Sequence, residues 1–385
     1  MLIVQICIIF MVILIIVLLV ILSINKMTYL NYNSTCMTGG GEFNRSDLNY
    51  PEVMDERINE ERLKSWIFSE INAPEDAKLI FTSGATESIA TLLNWARSFN
   101  SYGVVYGSKL DHPSIKINVN NIGMQYKQLK LTKTINIPEN ASVIFMTHVS
   151  PSTGDIYPIE NVNKHYIYLA EEDVNSDMGY SNDEIRQYRP FKFLDASQSF
   201  PKLKIDMKEM NLDGVVLSPH KFGCQIGFGV LVFRDTNKRK FKPLIAGTQQ
   251  DSMRGGTLPI NLSLSIPNAV KEFKQNYSSS GCEKVYKMFT DMLDDEDIDY
   301  EKGIKGLKNL HNTVLIHLGF CNAGIIHELA EMGIYVGASS ACNAETGEID
   351  DTLRISYIND KDFTPKVMKK IIKLIHEYQK DKIDD

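Results

Sequence analysis

Seven short apolar runs recur through the middle of the chain: Leu79-Ile80-Phe81, Val104-Val105-Tyr106, Ser142 to Met146, Tyr166 to Leu169, Phe191 to Leu194, Gly214 to Leu217 and Gly229 to Phe233. Strands whose apolar residues are continuous rather than alternating are covered on both faces. That predicts a largely parallel sheet with helices on either side. The stretch Ala85 to Phe99 carries helical spacing through Ile89, Leu92, Leu93 and Ala96. After about Gly256 the texture changes. Helical segments at Asn268 to Gln275, Lys284 to Leu293 and Pro365 to Lys380 surround strands at Thr313 to Leu318 and Leu353 to Tyr357. The expectation is an α/β chain with a large unit at 27–256 and a smaller α+β unit at 257–385, the first residues of the large unit packing with the small one. A length of 385 residues suits two such units. Asp294 to Asp299 reads as a solvated charged loop.

Residues 1–26 stand apart. Leu2 to Leu22 holds one polar residue, Gln5, and no charge. As a helix it would be about 31 Å long, close to the hydrocarbon thickness of a bilayer. No basic residue precedes the run and no small-residue cleavage site follows it, unlike a signal peptide. With Lys26 directly after it, the run predicts a membrane anchor that holds the body on the cytoplasmic side. Initiation at Met27 would instead give the same body as a cytoplasmic protein. A net charge of −7 without a Lys/Arg block argues against nucleic acid as the main partner. The six cysteines are scattered with no C-x-x-C pair, so neither a metal site nor a disulfide framework is expected, and a reducing compartment fits best.

Three segments carry chemistry. Thr82-Ser83-Gly84-Ala85-Thr86-Glu87 lies between a strand and a helix, where free N–H groups and the helix dipole favour an anion. Gly84 permits close backbone approach, and the hydroxyls of Ser83 and Thr86 are donors to a phosphate; the same residues also fit a capping box. Asp195-Ala196-Ser197-Gln198 follows the strand Phe191 to Leu194, which aims a carboxylate into the crevice where open α/β sheets bind ligands. Ser218-Pro219-His220-Lys221 follows another strand and precedes Gly223, Gly227 and Gly229. A lysine there forms a Schiff base with an aldehyde cofactor if its surroundings lower its pKa. Pyridoxal phosphate needs a phosphate cradle, such a lysine, an acid for the pyridine nitrogen and a group packed on the ring. The chain supplies the first three in order, and Asp111-His112-Pro113 offers an imidazole for the fourth.

In this order the motifs resemble those of the NifS-like cysteine desulfurases, within the class V aminotransferase family of fold-type I pyridoxal-phosphate enzymes. The resemblance runs from about Tyr29 to about Tyr357. Tyr29 to Thr35 is similar to the family's Tyr-Leu-Asp-x-x-Ala-Thr opening and implies that Asn31 lies beside the substrate. Thr82 to Ser88 matches the phosphate loop, implying that Ala85 and Thr86 hold the phosphate. Asp111-His112 stands where the family has Glu-His, whose catalytic histidine stacks on the ring. Asp195 would meet the pyridine nitrogen, Gln198 the ring hydroxyl, Ser218 and His220 the phosphate, and Lys221 the aldehyde carbon. Thr257, in Met253 to Pro259, resembles the threonine that reaches the phosphate of a neighbouring subunit, which implies a homodimer. Ser339 to Cys342 resembles the loop of the catalytic cysteine, and Arg354 the arginine that holds the substrate carboxylate. The implied reaction converts L-cysteine to L-alanine, leaves a persulfide on Cys342 and feeds a sulfur-acceptor protein such as an iron–sulfur scaffold.

The chain also departs from the pattern. Pro151 occupies the stretch where the family places an Asn beside the ring hydroxyl, so that bond is either lost or taken over by Ser150 or Ser152. The region between Thr35 and Tyr50 is abbreviated, and the loop from Cys342 to Arg354 is short and acidic through Glu345, Glu348, Asp350 and Asp351. Cys224, three residues past Lys221, is read as packing beneath the cofactor. Two other readings share the scaffold: different pyridoxal-phosphate chemistry such as selenocysteine lysis or transamination, and a non-catalytic cofactor-binding protein. Transamination needs no nucleophilic thiol, so Cys342 argues against it.

Overall fold

The computed structural model describes residues 28–36, 56–129, 135, 137–138, 140–159, 162, 189–237, 239–338, 350–361 and 363–381. The strands are β1 (Thr28–Tyr29), β2 (Ala77–Thr82), β3 (Val104–Gly107), β4 (Gln125–Gln128), β5 (Ala141–Thr147), β6 (Asp155–Ile156), β7 (Phe191–Asp195), β8 (Gly214–Leu217), β9 (Gly229–Arg234), β10 (Lys308–Asn309), β11 (Thr313–His317), β12 (Ile334–Tyr335) and β13 (Thr352–Ser356). Seven of them form one sheet in the order β2-β9-β8-β7-β5-β3-β4. Only β9 runs against the rest, pairing antiparallel with β2 on one side and β8 on the other. The apolar runs fall on β2, β3, β5, β7, β8 and β9, while Tyr166 to Leu169 lies outside the described residues.

Both faces of this sheet are covered, which is why the runs are continuous. On one face Ile80, Val105, Phe145, Phe193, Val216 and Leu231 meet the helices Ala85–Arg97 and Pro113–Asn121. Ile89, Leu92 and Leu93 of the first helix are at most 1% exposed. Each contributes about 1.5–3 kcal/mol by burial, so packing rather than capping dominates that helix. Trp95 lies edge-on to Phe191, with ring centroids 4.8 Å apart, and donates its indole N–H to the Lys240 carbonyl at 3.0 Å. On the other face Leu79, Phe81, Ile144, Leu194, Val215 and Val230 meet the helices Glu56–Glu70 and Ile266–Asn276.

A second core gathers the antiparallel pair β11–β13 and the helices Ser279–Asp295, Ala323–Glu331 and Pro365–Asp381. Leu30, near the start of the chain, is fully buried in it, because β1 pairs in parallel with β12. The helix Ile266–Asn276, placed in the smaller unit by sequence, turns Ile266, Ala269, Val270 and Phe273 into the sheet's core instead. The helix Ser279–Asp295 reaches into the charged stretch predicted to be a loop, which then turns at Asp297 (φ 54°) and buries Ile298.

The membrane placement expected from Leu2 to Leu22 is corrected. Among the described residues no helix is long and apolar enough to cross a membrane. The run itself lies outside the described residues. A hydropathy window reads composition alone, and composition does not fix where a segment resides.

Candidate active site

The carboxyl ends of β2, β3, β5, β7 and β8 lie along one edge of the sheet, since these strands run the same way. Above that edge opens a cavity of about 700 Å³, within the size range of cofactor sites. Ala85, Thr86, His112 and Asp195 line it, as do Gln198, Ser218, His220 and Lys221, and Arg354 reaches it from β13 of the second core. Thr257 is exposed and is not among the lining residues. Cys342 and its loop at 339–349 lie outside the described residues.

At the end of β2 the chain turns through Ser83 and Gly84 into the helix Ala85–Arg97. The Thr82 hydroxyl donates to the Gly84 carbonyl at 3.0 Å and lies 2.8 Å from the Ser88 hydroxyl, which leaves the outer rim to Ser83 and Thr86. Glu87 accepts the Ser83 N–H at 2.7 Å, but the helix's N-cap is Gly84 and no side chain caps it, so the reciprocal pair of a capping box is not formed. Gly229, opening β9, packs against this turn. A Cβ there would fall 2.5 Å from the Gly84 carbonyl carbon and 2.7 Å from the Thr82 hydroxyl, closer than a side chain tolerates.

Lys221 sits on a single 3₁₀ turn, Pro219–Phe222, that ends at Gly223 with φ 106°, a left-handed conformation that favours glycine. Its ammonium donates to the Asn33 carbonyl at 2.7 Å. Burial pushes the Lys221 pKa down to about 8; the Arg354 and Lys202 charges add to the effect, and Asp195 opposes it. Gln198 Nε2 donates to the same carbonyl at 2.8 Å. Burial, helped by the Lys221 charge, pushes His220 down to about 4, so its ring is neutral. Its Nδ1 is buried without a hydrogen-bond partner among the described residues. Asp195, 3% exposed at the end of β7, accepts the Ser197 N–H at 3.0 Å and the Ser197 hydroxyl at 2.5 Å, both on Oδ1.

His112 caps the helix Pro113–Asn121, its Nδ1 accepting the Ser114 N–H at 3.2 Å. Burial lowers the ring's pKa; Asp195 opposes this, and the positive charges of Lys221 and Arg354 add to it. With Nδ1 accepting, the neutral ring carries its proton on Nε2. The residue before it was missed by sequence reasoning. Asp111 accepts from the N–H groups of Ser108 at 2.7 Å and Thr147 at 2.9 Å, and from the Tyr126 hydroxyl at 3.2 Å. It ties the ends of β3 and β5 together next to His112 in the chain. Burial pushes its pKa up to about 7 despite these donors. Gly107 makes room for it, since a Cβ there would fall 2.1 Å from Asp111 Oδ2.

Arg354 is 8% exposed and donates through Nη2 to the Ser34 hydroxyl at 2.7 Å and to Asn31 Oδ1 at 3.3 Å. Asn31 thus meets the arginine rather than the cavity wall, and Ser34, which lines the cavity, is a second residue that sequence reasoning missed. It stands where the resembling motif has alanine. Pro151 lines the cavity and accepts the Asn33 amide at 2.8 Å through its carbonyl. Ser150 Oγ accepts the N–H groups of Ser152 and Thr153 at 3.3 and 3.1 Å, so it serves the turn. Cys224 is buried in the sheet's core, and burial pushes its thiol up to about 12, which suppresses the thiolate.

Comparison with known proteins follows the same lines. The family model for class-V aminotransferases matches residues 55–168 and 181–363, more than half of the chain. A cysteine desulfurase IscS of Buchnera aphidicola subsp. Acyrthosiphon pisum (strain 5A) is 29% identical over 203 residues, covering 50% of this chain and 47% of the relative. A cysteine desulfurase IscS of Rickettsia prowazekii (strain Madrid E) is 26% identical over 313 residues, covering 78% of this chain and 72% of the relative. The chain thus spans about half the length of the first of these curated relatives and more of the second. A solved structure described as a NifS-like protein superposes with a TM-score of 0.70 at 17% identity, covering 92% of this chain and all of the other. At that identity the likeness speaks for the fold.

Proposed function

Since the chain belongs to the class-V aminotransferase family, we propose that it is a pyridoxal-phosphate-dependent cysteine desulfurase, converting L-cysteine to L-alanine. The observation that carries this reading is the convergence of Lys221, Asp195 and Arg354 on one cavity, with the lysine's pKa brought down to about 8. The cavity fits the cofactor. The loop at Ala85 and Thr86 and the buried, unpartnered His220 Nδ1 suit a phosphate, together with Ser218. Asp195 suits the pyridine nitrogen, Gln198 the ring hydroxyl, and the neutral ring of His112 a stacking position. When bound, pyridoxal phosphate supplies an aldehyde carbon for Lys221 and an electron-withdrawing ring.

The chain's own residues divide the rest of the work. Arg354 takes the substrate carboxylate in a charge-assisted contact, steadied by Asn31 and Ser34. Lys221, as the free amine, moves the Cα proton. The Cys342 thiol takes up the substrate sulfur: the carbon–sulfur bond breaks, a sulfur–sulfur bond forms on the enzyme, and alanine leaves. A sulfur-acceptor protein then receives that sulfur. The exposed Thr257, outside the cavity of its own chain, serves the phosphate of a second copy in a homodimer. The units at 27–256 and 257–385 bring cofactor and substrate groups together.

The neutral Lys221 amine is the form that attacks an aldehyde. A pKa of about 8 therefore makes capture of added pyridoxal phosphate rise with pH around 8, well below the value of about 10.4 for an ordinary lysine. Stopped-flow absorbance across pH 6–10, with borohydride trapping and peptide mapping, tests this. The label belongs on Lys221. A label elsewhere, or a midpoint near that of an ordinary lysine, would overturn the reading.

A further inference from the structure

Glu87, in the first turn after the anion loop, gathers three donors on its two carboxylate oxygens. Oε2 accepts the Ser83 N–H at 2.7 Å and Arg254 Nη2 at 3.1 Å, and Oε1 accepts Arg254 Nε at 3.0 Å. The pair is nearly enclosed, with 16% of the arginine side chain and 11% of the glutamate side chain exposed. Burial alone would raise the Glu87 pKa, but the bonds from Arg254 and Ser83 outweigh it and hold the carboxyl below its ordinary value. The loop that receives an anion is therefore shaped by a residue that is itself an anion. Without its partner, that carboxylate would place negative charge beside the ligand.

The arginine is held by a second tie. Gln250 accepts the Phe81 N–H at 2.7 Å and donates to the Phe81 carbonyl at 3.0 Å, just before the loop begins. It takes the place of a further strand on the open edge of β2. Gln250, Asp251 and Ser252 all have positive φ, at 48°, 54° and 62°, though none is glycine. Such backbone persists where its surroundings over-determine it. Gln249 adds a closing bond, accepting the Gly256 N–H at 3.0 Å. The segment 249–256 is thus pinned to both sides of the loop, at Phe81 and at Glu87.

We infer that Arg254, fixed by the Gln250 clamp, is a positioning residue that sets the affinity of the loop at residues 82–87 for the cofactor's phosphate by neutralising Glu87. The inference rests on the proposed cofactor. Its signature is selectivity, because pyridoxal offers the same ring and aldehyde to Lys221 and lacks the phosphate. In cofactor-free full-length protein, the binding of each compound is titrated by absorbance. Arg254→Ala weakens pyridoxal phosphate by about tenfold or more and leaves pyridoxal nearly unchanged, as expected when a buried charge loses its partner beside the ligand. Glu87→Gln in the same chain restores most of the loss, because no charge is then left unpaired. Arg254→Lys, the variant least disturbing to folding, falls between wild type and Arg254→Ala. Equal weakening of both compounds, unchanged binding of pyridoxal phosphate in both Arg254 variants, or no rescue by Glu87→Gln would overturn the inference. A wild-type protein that captures neither compound would instead overturn the functional reading on which it rests.

Discussion

Lys221→Ala lowers alanine formation from L-cysteine by at least about 10³-fold, the scale of losing a positioned proton-transfer group together with the attachment point. The argument is local. Lys221 lines the cavity, its pKa is brought down to about 8, and its bond to the carbonyl of Asn33, another lining residue, holds the amine in place. The variant should still fold, because it removes a buried amine whose charged form is disfavoured, and Gln198 continues to serve the Asn33 carbonyl. Pyridoxal phosphate should still bind, without covalent attachment, through the loop at Ala85 and Thr86 with Ser218 and His220. Steady-state alanine assays with absorbance spectra check both halves. A variant within tenfold of wild type would remove Lys221 from the chemistry.

Cys342→Ala separates sulfur transfer from everything before it. Cys342 is not among the residues proposed to hold the cofactor or the substrate carboxylate, so capture of pyridoxal phosphate and its spectral response to L-cysteine should persist. Sulfide released in the presence of a reductant should fall by at least about 10²-fold, since burial suppresses the thiolates of Cys224 and Cys282. Cys224 is the natural competitor by sequence, but its burial pushes its pKa up to about 12. If Cys342→Ala kept wild-type sulfide release, the nucleophile would lie elsewhere.

The central sheet was legible because burial on both faces leaves a continuous apolar run, as in β7 and β8, where every residue is buried. β4 left no such mark: its residues are Gln125, Tyr126, Lys127 and Gln128, and it lies on the sheet's edge. Two-residue ladders such as β1 with β12 are set by where distant segments meet rather than by local pattern. The site was legible where chemistry-bearing residues directly follow apolar strands, as Asp195 and Lys221 do. Its supports were not. Ser34 meets Arg354 across 320 residues, and Glu87 meets Arg254 across 167. Asp111 was seen only as the neighbour of His112, and its role shows once Gly107, Thr147 and Tyr126 close around it. Apolar runs revealed the sheet but did not settle Leu2 to Leu22, whose expected membrane placement finds no support in any helix among the described residues.

The most direct test of the account is to incubate the purified, pyridoxal-phosphate-loaded protein with L-cysteine and a thiol reductant, and to assay alanine and sulfide in the same samples. The account predicts that both accumulate in equal amounts, over many turnovers, only with the cofactor present. Alanine without sulfide, sulfide with pyruvate in place of alanine, or neither product from cofactor-loaded protein would contradict it.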